Sequence, residues 1–193
     1  MNAPIAPVRL MTAEEFLALP DDGIDRDLIN GIVREWGLRM TRRNRVHSQV
    51  EANLSYFLVD WVRKQPEPRG AVHSGEAGCI LARDPDVTVG IDVLYLSPEL
   101  AARPMDDTTM IDGVPTLAVE ILSPSNTEEE VNDKLDAYRS ARVTLVWVVD
   151  PHLRTVTVLR PDTGPELFND TQELTAEPHL PGFRVPVADI FAR

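Results

Sequence analysis

Cysteine is almost absent from this chain of 193 residues: Cys79 is the only one, so no internal disulfide can form. Such sparing use fits a reducing compartment, and we expect a cytoplasmic protein. Cys79 lies in a strand-like stretch, residues 75–81, and is expected to be a buried, unreactive thiol. No apolar run approaches the ~20 residues that cross a membrane. Residues 1–8 lack the basic and apolar segments of a signal peptide.

Positive charge is scarce as well. The 19 Lys and Arg residues face 31 Asp and Glu, which gives a formal net charge of -12 and a pI near 4.7. This balance argues against a surface that binds nucleic acid by electrostatics alone. An acidic nuclease remains compatible with it, because metal-binding carboxylates add negative charge while the substrate groove stays locally basic. The dense basic run is Arg39, Arg42, Arg43 and Arg45, which forms either a solvated loop or a phosphate-contacting patch.

The remaining composition is that of an ordinary globular protein, with 43% apolar and 26% charged residues. The length fits one well-packed domain, expected over residues 11–193 after a flexible arm at residues 1–10. The three tryptophans stand in apolar contexts and are expected in the core.

Periodic patterns predict an α/β protein of the α+β type, a mixed β-sheet with helices packed against it. Predicted helices cover residues 12–19, 44–64 and 126–141. Predicted strands flank a turn at Asn30 and Gly31 and also cover residues 72–82, 88–97, 116–122, 143–149 and 154–160. Residues 97–115 are predicted to be a loop, and residues 161–193 a proline-rich tail with a helical turn at residues 187–191.

Two carboxylates stand alone inside strand-like apolar runs. Asp92 lies within residues 89–96, and Glu120 lies within residues 116–122. Runs this apolar predict buried strands, where an uncompensated carboxylate is costly. The two acids are either structural, each paired with a neighbour, or they mark a metal or catalytic site.

Lys134 is the third candidate. Strand alternation puts Glu120 on the less apolar face, near the carboxyl end of its strand, where α/β sheets commonly bind ligands. On the helix that follows, Lys134 borders the predicted core stripe of Val131, Leu135 and Tyr138, and it can reach back toward Glu120. The chain has only one other lysine, Lys64, against seventeen arginines, and lysine can release a proton where arginine cannot. The alternative is a side chain that merely extends along the core.

Two carboxylates and a lysine form a unit suited to phosphodiester hydrolysis. The acids would hold a hard divalent cation, usually Mg²⁺, with waters completing its shell. Such a cation lowers the pKa of a bound water and stabilises charge on the scissile phosphate. Lys134 would orient or deprotonate the attacking water and help neutralise the transition state.

Short motifs follow one another in an order that is familiar. They are residues 12–17, 28–33, the helix containing His47, and residues 91–94, 119–125, 134–138 and 146–151. Their order resembles the Uma-two family of restriction-endonuclease-like proteins, within the PD-(D/E)XK nuclease superfamily. The resemblance covers about residues 11–191.

The resemblance implies a mixed sheet flanked by helices and a Mg²⁺-dependent endonuclease, with Mn²⁺ as a possible substitute, that acts on nucleic acid, DNA rather than RNA. It places metal-binding and catalytic acids at Asp92 and Glu120, and a further metal ligand at the backbone carbonyl of Ile121. The superfamily lysine position is Leu122 here, so Lys134 matches those members whose lysine lies on the following helix. A homodimer or higher homo-oligomer is also implied.

Supporting residues follow from the same resemblance. Asp27 stands where the family tends to have glutamate and is a candidate to support metal or water. His47 is either a cap of its helix or a residue that touches the site. Independently of the resemblance, the basic run makes Arg42, Arg43 and Arg45 candidate substrate contacts.

Two other functions compete with a nuclease. A binding or regulatory module that keeps the fold without turnover is favoured by Leu122 and by the acidic surface. A two-carboxylate glycosidase is chemically allowed, but aromatic residues for sugar stacking make up only 6% of the chain, and that mechanism leaves Lys134 unused.

Overall fold

A computed structural model describes residues 9–38, 44–104 and 109–193. Most of the expected N-terminal arm, together with Arg39, Arg42 and Arg43, lies outside these ranges. The helices in them are α1 (Ala13–Leu17), α2 (Arg45–Arg63), α3 (Pro98–Ala101), α4 (Glu128–Ser140) and α5 (Val187–Ile190). The strands are β1 (Ile24–Ile29), β2 (Ile32–Leu38), β3 (Ala71–Ala82), β4 (Val87–Leu96), β5 (Ile111–Asp112), β6 (Leu117–Ile121), β7 (Leu145–Asp150), β8 (Thr155–Arg160), β9 (Thr163–Asn169), β10 (Glu173–Thr175) and β11 (Arg184–Pro186).

The central sheet has nine strands and is mostly antiparallel. Its main order is β2-β1-β4-β6-β7-β8-β9, while β3 pairs with β4 and with β5. Strands β6 and β7 are parallel because α4 crosses over between them. Strands β10 and β11 form a separate hairpin. The predicted mixed sheet flanked by helices is therefore confirmed.

Helices cover both faces of the sheet. On one face, α2 buries Val50, Leu54, Leu58 and Trp61 at helical spacing. On the other face, α4 buries Tyr138 and its neighbour Ala137. Alternation along β6 sends its odd-numbered residues to the α2 side, so Glu120 projects to the α4 side.

Strand β4 changes partner along one of its edges. Leu28 of β1 pairs with Thr88 near the beginning of β4, whereas Val119 of β6 pairs with Val93 further along. Residues 89–92 pair with neither strand; along the other edge of β4, residues 89–91 pair with β3. The sheet therefore forks between β1 and β6, and side chains occupy the fork.

Helix caps and turns, which depend on residues close in sequence, form where the sequence predicted them. Thr12 caps α1 and forms a capping box with Glu15. Asn30 and Gly31 both have positive φ, 52° and 73°, as a two-residue hairpin turn requires. A Cβ on Gly31 would lie 2.7 Å from the Cβ of Leu10, so glycine is needed there for space as well as for φ.

Two predictions about irregular segments were wrong. Within residues 97–115 the chain forms α3 and β5, and within residues 161–193 it forms β9, β10 and β11 before α5. These elements have two to seven residues, and β9 is almost entirely exposed. Elements this short show too few residues for a clear burial period: β5 pairs with β3, β9 with β8, and β10 with β11.

Cys79 is fully buried, as predicted, and its thiol donates to the carbonyl of Gly113 at 3.2 Å. Burial raises the pKa of this thiol to about 12, with a smaller contribution from Asp112. At neutral pH it is therefore protonated and a poor nucleophile. None of the helices in the described ranges combines the length and apolar character that a membrane crossing needs.

Asp86 fixes α1 to the turn before β4. Its carboxylate accepts the N–H groups of Ala13 at 2.8 Å and Asp84 at 3.0 Å, and Arg83 lies 3.2 Å away. Burial alone would raise the pKa of Asp86, but these hydrogen bonds and the Arg83 charge hold it below its usual range.

Replacing Asp86 by alanine is expected to lower the free energy of unfolding by about 1–3 kcal/mol, since the buried N–H of Ala13 loses its acceptor. A carboxyl with a depressed pKa stabilises the folded state above its unfolded pKa of about 3.9. The gap between wild type and D86A should therefore be full at pH 7 and shrink as pH falls through the folded pKa. Urea unfolding at several pH values measures this, with the exposed Asp136→Ala as control; a gap that grows in acid would contradict it.

Candidate active site

Asp92 and Glu120 occupy opposite positions on neighbouring strands. The last paired residues of β4 and β6 are Val93 and Val119, and continuing this register by one residue sets Asp92 opposite Glu120. Directly opposed residues project from the same face of a sheet. The two isolated acids of the sequence, 28 positions apart, are therefore cross-strand neighbours at the fork.

Asp92 is tied to the end of β6. Its Oδ2 accepts the backbone N–H of Ile121 at 2.8 Å. The N–H and C=O of one residue point to the same edge of a strand, so the carbonyl of Ile121 also faces the Asp92 side. That carbonyl is the one that the family resemblance implies as a backbone metal ligand.

Lys134 reaches from α4 into the fork. Its Nζ donates to Glu120 Oε2 at 3.1 Å and to the carbonyl of Gly90 at 2.8 Å. The side chains of Lys134 and Glu120 are only 11% and 12% exposed. The structure thus brings together the three residues that the sequence singled out.

Tyr138 is a site residue that sequence analysis assigned only to the core. Its hydroxyl donates to Glu120 Oε1, so α4 holds both oxygens of this carboxylate. Tyr138 lies one helical turn after Lys134, and residues four apart share a helix face. That spacing is the signal that could have identified it.

His47 touches Asp92. The backbone N–H of His47 donates to the Asn44 side chain at 2.8 Å, which caps α2, and the imidazole is buried. Its Nε2 lies 3.3 Å from Asp92 Oδ1, and its Nδ1 lies 3.7 Å from Glu51 Oε2. Glu51, which also accepts the N–H of Gly75 at 2.7 Å, went unnoticed in the sequence because an acid on a mostly polar helix face is common.

Asp27 supports the site through the backbone of β4. Its buried carboxylate accepts the N–H of Gly90 at 3.1 Å and the indole N–H of Trp36 at 2.8 Å. Gly90 therefore connects Asp27, through its N–H, with Lys134, through its carbonyl. The prediction that Trp36 is a core residue was wrong: it is partly exposed, and it lines the cleft beside Asp27.

The charges in the fork are strongly coupled. Burial raises the pKa of Glu120 to about 7; the Asp92 charge adds to this, while Lys134 and Tyr138 oppose it. Burial would also raise the pKa of Asp92, but His47, the Ile121 N–H and Lys134 outweigh it and hold that pKa below its usual range.

Lys134 is a cation in this setting. Burial alone would lower its pKa, but the charges of Glu120, Asp27 and Asp92 together raise it above its ordinary value. A lysine in this state can donate hydrogen bonds and neutralise negative charge, but it has no lone pair with which to accept a proton. Of the two roles expected for Lys134, orienting water and deprotonating it, a raised pKa favours the first.

The donor set fits a hard divalent cation. In the described ranges, no three or more His, Cys, Asp and Glu side chains are grouped so as to hold a metal ion. The fork offers two carboxylates and one backbone carbonyl, all oxygen donors, and a cleft beside them with room for waters. Mg²⁺ is commonly bound through one or two carboxylates with several waters, so these residues fit it better than a metal that prefers nitrogen or sulfur.

Of the three arginines proposed to contact substrate, the described residues include Arg45. It is exposed at the start of α2, two residues before His47. Arg42 and Arg43 belong to the part of the chain that the structure does not describe.

The fold and the fork define a class of protein: a restriction-endonuclease-like nuclease fold, in which adjacent strands carry two acids with a lysine beside them. The family model described as "Uma2: Putative restriction endonuclease" matches residues 13–188, and the chain belongs to this family. The resemblance seen in the sequence is thereby confirmed.

A solved structure is similar over nearly the whole chain. It is titled a "putative nuclease belonging to DUF820" from Anabaena variabilis, with a TM-score of 0.74, 20% sequence identity, and coverage of 94% of this chain and 97% of that one. At this identity the likeness concerns the fold. A comparison with curated proteins found no match.

Proposed function

We propose that this protein is a Mg²⁺-dependent endonuclease that hydrolyses phosphodiester bonds in DNA, with Mn²⁺ able to replace Mg²⁺. Membership of a restriction-endonuclease family supports nuclease chemistry. The observation that carries the proposal is the convergence of Asp92, Glu120 and Lys134 at the fork of the sheet.

Each residue has a distinct part in this proposal. Asp92, Glu120 and the carbonyl of Ile121 would hold the cation, which when bound supplies Lewis acidity and an activated water. Lys134 carries positive charge to the place where charge develops on the phosphate. Tyr138 holds the Glu120 carboxylate, and His47 holds Asp92, so both acids are fixed before substrate arrives.

The alternative, a module that keeps the fold without turnover, depended on Leu122 at the usual lysine position. Lys134 lies within hydrogen-bond distance of Glu120 and so supplies the cation that Leu122 cannot. This favours the enzyme over the inert module. The single-domain organisation and the homo-oligomer expected from the sequence stay predictions, which limited proteolysis and light scattering can measure.

Metal binding provides the direct test. Calorimetry at pH 8 is expected to show one Mg²⁺ or Mn²⁺ site in the wild type, and D92N should weaken it by at least about tenfold, since a carboxylate ligand is lost. Because the pKa of Glu120 is about 7, protons compete with the cation. Affinity should therefore rise between pH 6 and pH 8, with proton release on binding.

The matched control is Asp136→Asn, which makes the same chemical change on the exposed face of α4. Equal affinity of D92N and wild type would place the cation elsewhere. Absence of any binding, together with absence of cleavage, would favour the inert module.

A further inference from the structure

A second cleft adjoins the acids on the far side of His47 and Leu122. It has a volume of about 980 Å³ and is lined by Asn44 to His47, Leu122 to Ser125 and Asp150 to His152. These segments follow the carboxyl ends of the parallel strands β6 and β7 and begin helix α2. The acid cleft shares four of these lining residues, His47, Leu122, Ser123 and Ser125, so the two clefts are adjacent.

The walls of this second cleft are largely apolar. Val46 is 55% exposed although it is aliphatic, and Pro124 and Pro151 add further apolar surface. The carboxylate of Asp150 is engaged within its own turn, where it accepts the N–H groups of His152 and Leu153 at 2.8 and 2.9 Å. Its Oδ1 therefore shapes the turn at the edge of the cleft.

Arg45 gives the cleft a cationic side. In the described ranges it makes no ion pair, and it is exposed at the start of α2. The first turn of this 19-residue helix also presents the positive end of its dipole. A ligand with an anionic group next to an apolar group would suit a cleft with apolar walls and a cationic side.

The opposite exit from the acids has the reverse character. The cleft on that side is lined by Asp21, Asp25 and Asp27. Of its cations, Arg26 is paired with Asp22 and Glu35, and Lys134 is paired with Glu120. A polyanion would be repelled along this exit and attracted along the side of Arg45.

We propose that the second cleft receives the base of an unpaired nucleotide beside the scissile phosphate, so that the substrate is DNA that is single-stranded or frayed at the cut. This inference rests on the proposed nuclease function. A base stacked inside a duplex cannot reach such a cleft without leaving its stack, whereas an unpaired base can enter freely. The sugar–phosphate chain then follows Arg45 while the base packs against Val46 and the prolines.

Binding tests the inference without turnover. With Ca²⁺ in place of Mg²⁺, fluorescence anisotropy compares a labelled single-stranded oligonucleotide, a blunt duplex and a splayed-end duplex; 2-aminopurine in the strand reports the environment of a base. We expect the strand and the splayed end to bind at least about tenfold more tightly than the blunt duplex. The variant Val46→Glu should remove that preference and the 2-aminopurine response.

Val46→Glu places an acid in the first turn of α2, where it favours the helix, so folding is preserved. The matched control is Tyr56→Glu on the same helix, where the side chain is 66% exposed and lines neither cleft. Tyr56→Glu should leave the preference for unpaired DNA and the 2-aminopurine response unchanged. Equal binding of paired and unpaired DNA, no binding of the single strand, or a V46E protein that behaves like Y56E would each overturn the inference.

Cleavage of the same three substrates in Mg²⁺ separates the two proposals. If the enzyme cleaves paired and unpaired DNA equally and loses this activity in Glu120→Gln, that result would contradict the proposed base cleft and support the proposed nuclease function. Tight binding of single strands that depends on Val46, without any cleavage, would support the base cleft and contradict the nuclease function.

Discussion

Replacing Glu120 by glutamine is expected to reduce Mg²⁺-dependent DNA cleavage by about 10³-fold or more. Glutamine keeps the shape of the side chain and can still accept a hydrogen bond from Tyr138. It removes a charge that would hold the cation, and it presents a neutral amide to Lys134 in place of a carboxylate. Metal activation of water and phosphate contributes several kcal/mol, and each 1.4 kcal/mol is a tenfold change in rate. The measurement is kcat/KM on a labelled oligonucleotide, and the rate in excess chelator gives the background.

The control for that experiment is Glu128→Gln, the same chemical change at the exposed first turn of α4. It should cleave like the wild type. If E120Q and wild type show the same weak activity, a contaminating nuclease accounts for it and the enzyme hypothesis fails.

Replacing Lys134 by methionine should lower kcat by about 10²-fold while the fold is kept. Methionine fills nearly the same space along the flank of the core but donates no hydrogen bond to Gly90 or Glu120. Removal of one preorganised donor that faces developing charge typically costs about 10²–10³ in kcat. Since the neighbouring acids raise the pKa of Lys134, its loss should lower the plateau of the pH–rate profile. Because Lys134 lowers the pKa of Glu120, the ionisation of Glu120 should also move to higher pH.

Lys64→Met is the natural control, because it changes the only other lysine of the chain, one that is exposed and paired with Asp60. Its activity should match the wild type. Lys134→Arg should restore only part of the rate, since a planar guanidinium keeps the charge but not the compact geometry. Wild-type activity in K134M would mean that another residue supplies the positive charge at the site.

The sequence predicted what depends on local chemistry. The capping box of Thr12, the turn at Asn30 and Gly31, the length of α2 and the strands around Asp92 and Glu120 all follow from neighbours within a few residues. Short strands such as β9 could not be predicted, because an exposed edge strand has no periodic burial and exists only through its pairing with β8.

The supporting residues were harder to find than the acids. Tyr138 looked like a core residue and Trp36 did too, because aromatic side chains in apolar contexts are usually buried. Their polar atoms contact Glu120 and Asp27 only after β1, β4 and α4 are assembled. Glu51 beside His47 gave no signal at all in the sequence.

The sequence by itself determined that this protein has two acids in apolar strands and a scarce lysine on the next helix, because an uncompensated carboxylate in such a run is too costly to be incidental. The tertiary structure decided that these residues meet. Pairing of β4 with β6 sets Asp92 opposite Glu120, and the crossover of α4 brings Lys134 to Glu120. It also decided that burial does not neutralise Lys134, since Glu120, Asp27 and Asp92 raise its pKa only once the fold brings them near it.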